Sequence, residues 1–309
     1  VDARGRYAPS PTGRLHLGNV RTALVAWLQM RALGGRFVLR VEDVDFGRCR
    51  PEHQARQLTD LRWLGLDWDE GPDVGGAFGP YVQSQRGELY AAALARLPTF
   101  QCSCTRKQLR EQVPSAQGAE PVYPGTCRDA GPQDPAAPRS IRWHVPVGEV
   151  DVLDEVFGRV HNDLRVDVGD FVLRRSDGAW AYQLAVVVDD AAMAITHVCR
   201  GADLLDSAPR QVALARALGH EPPRFAHVPL VVGPDGIKLS KRHGAPDVSE
   251  LREGGADPER VVAVLARSLG LVASSVPRVR AADLIADFAM ARIRAVAGPG
   301  DVIDPADLR

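Results

Sequence analysis

Two prolines and a glycine divide the first 45 residues into pieces whose order leaves few ways to pair. Arg4–Ala8 is a short strand candidate, followed by Pro9-Ser10-Pro11-Thr12-Gly13. The prolines remove backbone donors and Gly13 admits conformations closed to other residues, so this stretch is a turn. Leu24, Trp27 and Leu28 then recur at helical spacing, and Gly34 or Gly35 supplies a left-handed stop. Phe37–Val41 reads as a buried strand running into Glu42-Asp43-Val44-Asp45. Strand, turn, helix and strand in this order form a βαβ unit. Such a unit demands a parallel sheet and places ligands at the carboxyl ends of its strands.

The rest of the chain is compatible with that start. Its 309 residues suggest about two domains. With 45% hydrophobic and 25% charged residues it is neither disordered, collagenous nor coiled coil. The 38 Lys and Arg against 39 Asp and Glu leave a net charge of −1, so a nucleic-acid partner would have to meet a local basic face. No apolar run approaches the roughly 18 residues of a membrane span, and no apolar segment of a secretory leader follows Arg4 and Arg6. Five cysteines are an odd number for a disulfide framework, and the expected compartment is the cytoplasm.

A second amphipathic helix is expected from Pro51 to Leu66. Residues 98–138 are rich in Pro, Gly and Ala and hold Cys102, Cys104 and Cys127, so a metal staple would compensate for a poor apolar core. Cys49 and Cys199 stand apart and read as small core residues. Regular patterns resume at Phe171–Arg174 and Tyr182–Val188. Helices then dominate. Gly219 stops Gln211–Leu218, and Asp257-Pro258-Glu259 starts a helix that Gly270 closes. Ala281–Ala291 reads as a third short helix, and Pro299–Arg309 as a loosely docked end.

Three constellations carry chemistry. In the first, His16 sits where the turn enters the helix, and Gly18 lets a ligand approach the backbone. A helix N-terminus favours anions, and a histidine there can donate to a phosphate oxygen. In the second, Lys238-Leu239-Ser240-Lys241-Arg242 follows Gly233-Pro234-Asp235-Gly236, a loop suited to clamping phosphates with point charges. In the third, Cys102 and Cys104 are followed by eighteen residues, Tyr123, three residues and Cys127. Three thiolates leave one position of a tetrahedral zinc open. Chemistry alone looks first to His144, His161 or Asp129 for it, since a phenol with a pKa of about 10 is a reluctant ligand.

His16 with the distant Lys238–Arg242 resembles the paired signatures of class I aminoacyl-tRNA synthetases. Asn19 stands where the first signature has its second histidine, and Leu239 and Arg242 replace the Met and final Ser of the second. Arg6–Gly13, Leu39–Asp45 with Arg48, Trp63–Pro72, Tyr182–Ala185, Val188–Asp190, Thr196–Gly201 and Asp203–Leu205 are similar to blocks of the glutamyl branch, across roughly residues 4–250. The resemblance implies an α/β fold: a Rossmann-type doubly wound parallel sheet with a zinc-bearing insert and a short helical C-terminal segment. It divides the chain into a catalytic domain of residues 1–85 and 182–236, an insert of 86–181, and a clamp loop with helical segment of 237–309. It implies that His16, Lys238 and Lys241 are catalytic, and that ATP is held by His16, Gly18, Asn19 and Lys241, with Mg²⁺ assisting. Glutamate contacts fall on Arg6, Ala8, Ser10, Glu42, Tyr182 and Arg200. Guanidinium forks suit its carboxylates, and Glu42 suits its ammonium group. Asp43 and Asp45 could cap helices or pair with arginines.

The cysteine insert resembles in particular that of the glutamyl-queuosine tRNA(Asp) synthetase family, and this resemblance points to Tyr123 as the fourth zinc ligand, with Cys102, Cys104 and Cys127. Only 67 residues follow Arg242, too few for the large anticodon-binding region of ordinary glutamyl-tRNA synthetases. The implied reaction is glutamate activation by ATP, then transfer to queuosine in the anticodon of tRNA(Asp), by a monomer without a membrane partner. The alternatives are a truncated glutamyl-tRNA synthetase charging tRNA(Glu) and a catalytically silent glutamate- or nucleotide-binding regulator.

Overall fold

A computed structural model describes residues 2–112, 122–134, 136–232, 246–296, 301–303 and 308. Its centre is a six-stranded sheet ordered β2-β1-β8-β9-β5-β6. These strands are β1 (Arg4–Tyr7), β2 (Arg36–Leu39), β5 (Glu149–Asp154), β6 (Gly158–Asp163), β8 (His197–Gly201) and β9 (Arg224–Val228). All neighbours run parallel except β5 and β6, which form an antiparallel hairpin at one edge.

The expected βαβ unit is present. α1 (Leu17–Ala32) connects β1 to β2 and stops at Gly34, whose φ is +62°. Its spacing suggested one apolar stripe, yet eleven of its residues are buried. It lies against β1, β8 and α8 (Pro258–Ser268), covered on more than one side. Gly5 permits the close approach of strand and helix: a Cβ there would stand 2.7 Å from Met30 Cγ.

Strand side chains alternate between two cores, as period 2 requires. Phe37 and Leu39 join a cluster with α1, α2 (Pro51–Trp63), α7 (Val248–Glu253) and α8. Val38 joins one with α3 (Gly87–Leu94), α5 (Tyr182–Ala192) and α6 (Ala208–Ala217). Helices thus cover both faces, the doubly wound arrangement, with an antiparallel edge added.

A second sheet, β3 (Thr99–Cys102), β4 (Ser140–Trp143) and β7 (Val172–Arg174), is antiparallel and carries α4 (Arg106–Gln112) beside it. The expected insert of 86–181 does not follow sheet membership. Its residues 149–163 form β5 and β6, which extend the central sheet.

Two C-terminal expectations differ from the structure. Ala281–Ala291 is not one helix: a 3-10 turn covers Ala281–Leu284, and α9 begins at Met290 and runs to Val296. Ile285 and Phe288 between them pack on the core, so burial overrides local helical preference. Nor is the described end loose. β11 (Asp301–Val302) pairs in parallel with β10 (Val231–Val232), and Ile303 and Leu308 are buried.

Candidate active site and metal centre

A cleft of about 560 Å³ opens at the carboxyl ends of β1 and β8. From β1 the chain proceeds outward to β2, and from β8 it proceeds the other way to β9. The cleft therefore lies at the topological switch point, where doubly wound sheets bind ligands. Arg6, Ala8, Ser10 and Glu42 line it, as do Tyr182 and Arg200 from across the sheet. His16, Gly18 and Asn19 line its other part. Lys238 and Lys241 lie outside the described residues. Two residues flanking their segment are at the cleft: Val231 lines it, and Asp247 is 3.4 Å from Arg14, another lining residue.

The turn between β1 and α1 is held from outside. Gln57 Nε2 donates to the carbonyls of Ser10 (3.2 Å) and Gly13 (2.8 Å). A Cβ on Gly13 would meet nothing within 4 Å, so this glycine keeps the cleft wall bare. It is not among the residues with positive φ.

His16 is the N-cap of α1. Its Nδ1 accepts from the Asn19 backbone N–H at 3.3 Å, and Asn19 Oδ1 accepts from the His16 N–H at 3.1 Å, a reciprocal capping box. An accepting Nδ1 puts the neutral ring's proton on Nε2. The backbone N–H of residue 19 thus fixes the tautomer of the imidazole, while the Asn19 side chain, a departure from the signature in sequence, holds the His16 backbone N–H.

Arg6 and Glu42 rest on a buried charge cluster. Asp190 accepts from Arg6 Nε (3.0 Å) and Nη2 (3.2 Å) and from Arg40 Nη1 (2.7 Å). Arg40 Nη2 donates to Glu42 Oε1 at 3.0 Å. Arg6 Nη1 has no partner among the described residues, so this side of the guanidinium can serve an anion. Burial opposes ionisation of Asp190, but Arg6 and Arg40 outweigh it and hold the carboxyl below its ordinary value. Burial pushes Glu42 above its ordinary value, against the pull of Arg40 and Arg6. A cation arriving at Glu42 would offset that cost.

Arg200 is 5% exposed, and four of its five N–H donors are engaged. Its Nε donates to His227 Nε2 (2.9 Å), Nη1 to Gln211 Oε1 (2.6 Å) and the Tyr182 oxygen (3.3 Å), and Nη2 to the Leu204 carbonyl (3.1 Å). Because Tyr182 accepts from Arg200, its own O–H remains available as a donor. Asp43 and Asp45 take different roles: Asp43 accepts from the Ser84 N–H at 2.7 Å, and Asp45 pairs with Arg175 at 3.4 Å.

The third constellation, the cysteine cluster, lies at the end of β3. The sulfurs of Cys102, Cys104 and Cys127 lie within 4.8 Å of one another. Tyr123 Oη is 3.5 Å from Cys102 Sγ and 3.8 Å from Cys104 Sγ, and Cys104 and Cys127 are 3.6 Å apart. A tetrahedral ion with Zn–S bonds of about 2.3 Å needs S···S edges of roughly 3.8 Å, so these donors fit one. No His, Asp or Glu among the described residues joins them, which removes His144, His161 and Asp129 from the alternatives. Burial raises the Tyr123 phenol and pushes the Cys104 thiol up to about 11. At Cys127 burial is outweighed by hydrogen bonds from the Ser103 backbone and Tyr123, and its thiol falls to about 6. Of the remaining cysteines, Cys199 is buried as expected, but Cys49 is only partly so. It follows Arg48 on a surface turn and is not a core residue.

Comparison with known proteins agrees with this geometry. Residues 2–292 match the family described as tRNA synthetases class I (E and Q), catalytic domain. A glutamyl-Q tRNA(Asp) synthetase of Symbiobacterium thermophilum is 51% identical over 302 residues, spanning 94% of this chain and 93% of the relative. The chain belongs to this class I synthetase family, on its glutamyl-Q tRNA(Asp) branch. A glutamate–tRNA ligase of Natranaerobius thermophilus is 45% identical over 278 residues, which cover 85% of this chain and 57% of the ligase. The crystal structure of a glutamate tRNA ligase from Elizabethkingia meningosepticum, in complex with its amino acid, superposes with a TM-score of 0.85 at 29% identity, covering all of this chain and 68% of the ligase.

Sequence reasoning missed the supports. Asp190 stood in a recognised block without a role, and Arg40, Gln57, Asp154, Gln211 and His227 were not singled out. An acid in a strongly apolar helix such as Leu184–Ala192 was the available signal, because a buried carboxylate needs a cation.

Proposed function

We propose that this protein activates glutamate with ATP as glutamyl-adenylate and transfers the glutamyl group to queuosine in the anticodon of tRNA(Asp). The observation that carries the reading is the cleft itself. Two buried arginines, a buried glutamate and a phenol donor converge beside a histidine-capped helix N-terminus. A dicarboxylate with one ammonium group has the complementary charges. Arg6 and Arg200 each take a carboxylate, Tyr182 adds its hydroxyl hydrogen, and Glu42 takes the ammonium group. Ala8 and Ser10 border the amino acid where β1 gives way to the turn.

The α-carboxylate attacks the α-phosphorus of ATP and pyrophosphate leaves. Charge on the phosphate oxygens needs oriented donors and cations. His16 supplies an Nε2–H at the helix N-terminus, Gly18 and Asn19 border the nucleotide, and Lys238 and Lys241 supply charge, with Mg²⁺ as counter-ion. The adenylate is an activated anhydride, so its transfer requires chiefly positioning of the acceptor. The cluster of Cys102, Cys104, Tyr123 and Cys127 holds a structural zinc in this reading and takes no part in either step. The domain division of 1–85 with 182–236, 86–181 and 237–309 is kept as a functional one, with residues 149–163 shared by the sheet. The enzyme is read as a cytoplasmic monomer; no helix among the described residues is long and apolar enough to cross a membrane.

The test has two parts. ATP–pyrophosphate exchange with glutamate, without tRNA, should proceed; ATP binding without exchange would favour a silent regulator. Labelled glutamate should pass to tRNA(Asp) that carries queuosine and not to tRNA(Asp) without it. The match to glutamate–tRNA ligases keeps one competing acceptor in view. Charging of tRNA(Glu) that is lost after periodate treatment would refute the queuosine assignment.

A further inference from the structure

Three neighbouring strands, β5, β9 and β8, carry a row of polar side chains, two of which have no role in the glutamate site described above. Asp154 ends β5, His227 lies on β9, and Arg200 lies on β8 directly opposite His227 in the strand register. His227 Nδ1 is 2.6 Å from Asp154 Oδ2, and its Nε2 is 2.9 Å from Arg200 Nε. Asp154 and His227 are fully buried. The protonation pattern follows from the partners. A guanidinium Nε only donates, so His227 Nε2 must accept and the ring proton must sit on Nδ1, facing the carboxylate. The other oxygen of Asp154 is already committed. Its Oδ1 accepts from the backbone N–H groups of Val156 (3.0 Å), Phe157 (2.9 Å) and His227 (3.3 Å).

We propose that Asp154 and His227 are positioning residues that lock Arg200 in its carboxylate-binding orientation by fixing the Nδ1–H tautomer of His227. This deepens the proposed function and rests on its reading that Arg200 binds a carboxylate of glutamate. Changing one atom reverses the tautomer. In Asp154→Asn the three backbone donors keep the amide oxygen at the Oδ1 position, so the NH₂ group faces His227. The imidazole must then accept at Nδ1 and carry its proton on Nε2. That proton confronts Arg200 Nε–H. The Leu204 carbonyl, which bears on His227 and already serves Arg200 Nη2, is an acceptor that proton would have to share. Arg200 loses one acceptor and must share another. Asp154→Ala removes the carboxylate without dictating the tautomer, so it leaves Nε2 able to accept.

The experiment measures KM for glutamate and for ATP by pyrophosphate exchange, in the wild type and in Asp154→Asn, Asp154→Ala and Arg200→Ala, and reads the His227 tautomer by ¹⁵N NMR of histidine-labelled protein. Weakening one charge-assisted hydrogen bond should raise the glutamate KM of Asp154→Asn about tenfold or more, with the ATP KM unchanged. Asp154→Ala should show a smaller rise. The wild-type spectrum should report His227 protonated on Nδ1, and Asp154→Asn on Nε2. An Nε2-protonated His227 in the wild type overturns the proposal whether or not the variants fold. So does an unchanged glutamate KM in Asp154→Asn, or a rise in Asp154→Ala as large as its own. If Arg200→Ala leaves the glutamate KM unchanged, the underlying reading of Arg200 fails instead.

Discussion

Asp190→Asn tests the foundation of the cleft with a change of almost no volume. The wild-type carboxylate accepts three hydrogen bonds, two from Arg6 and one from Arg40. An amide oxygen left at the Oδ1 position can keep Arg6 Nε and Arg40 Nη1. The NH₂ group then faces Arg6 Nη2, donor against donor, and the two-pronged grip on Arg6 is lost. The variant also leaves a buried cation uncompensated, a defect that typically costs about 3–5 kcal/mol. One retained acceptor places the expected loss at about 3 kcal/mol. With a urea m-value of about 3 kcal/mol per M, the denaturation midpoint should fall by about 1 M. The functional consequence is separate. A misplaced Arg6 weakens a charge-assisted hydrogen bond to a substrate carboxylate, about 1.5–3 kcal/mol, so the glutamate KM should rise about ten- to a hundredfold. The ATP KM should not change, because the cluster lies at the Arg6 and Glu42 side of the cleft. Steady-state pyrophosphate exchange and urea titration measure both. A variant with the wild-type midpoint and glutamate KM would refute the account of the cluster, and an equal rise in both KM values would refute its assignment to the amino acid.

Three further expectations follow from other contacts. Asn19→Ala removes half of the capping box, about 1 kcal/mol, which in a chain of this size lowers Tm by only about 1–2 °C. The backbone N–H of residue 19 still reaches His16 Nδ1 in this variant, so the pyrophosphate exchange rate should fall only slightly; a large loss would show that the Asn19 side chain itself serves the reaction. Purified protein should carry about one zinc per chain by metal analysis. Tyr123→Phe should surrender it to a chelator faster than the wild type, and equal retention would remove Tyr123 as a ligand. Burial lowers the His227 pKa, so the unfolded chain binds a proton there before the folded one does. Stability from this residue is complete above the unfolded value near 6.5 and is lost as pH falls toward the folded value. Urea titrations between pH 7.5 and 5 should show a shallower decline in His227→Gln than in the wild type, and parallel declines would contradict the assignment.

How far the sequence leads depends on which contacts are local. The βαβ opening was legible because Pro9, Pro11 and Gly13 interrupt it at fixed places, and Asp257-Pro258 and Gly270 bounded α8 for the same reason. The cleft residues were legible through motif resemblance, and the structure brings Arg6, Glu42, His16, Tyr182 and Arg200 together from segments up to 194 positions apart. What stayed hidden depends on distant pairing. Nothing near residues 149–163 announces that they extend the central sheet; that follows from Asp154 meeting Phe225. Nothing near His227 announces its proton, which is set by groups 27 and 73 positions away. Ala281–Ala291 was misread because its apolar residues answer to the core beneath them rather than to helical periodicity.

The pairing of β10 with β11 makes the far end of the chain a structural part of the reaction chamber. Val231 forms cleft wall, and its strand partner is Asp301. A truncation before residue 301, though remote in sequence from the residues proposed to bind substrate, would strip that wall of its backing strand. Engineering at this end therefore reaches the cleft, and a fusion there should be checked for its effect on the cleft as well as on stability.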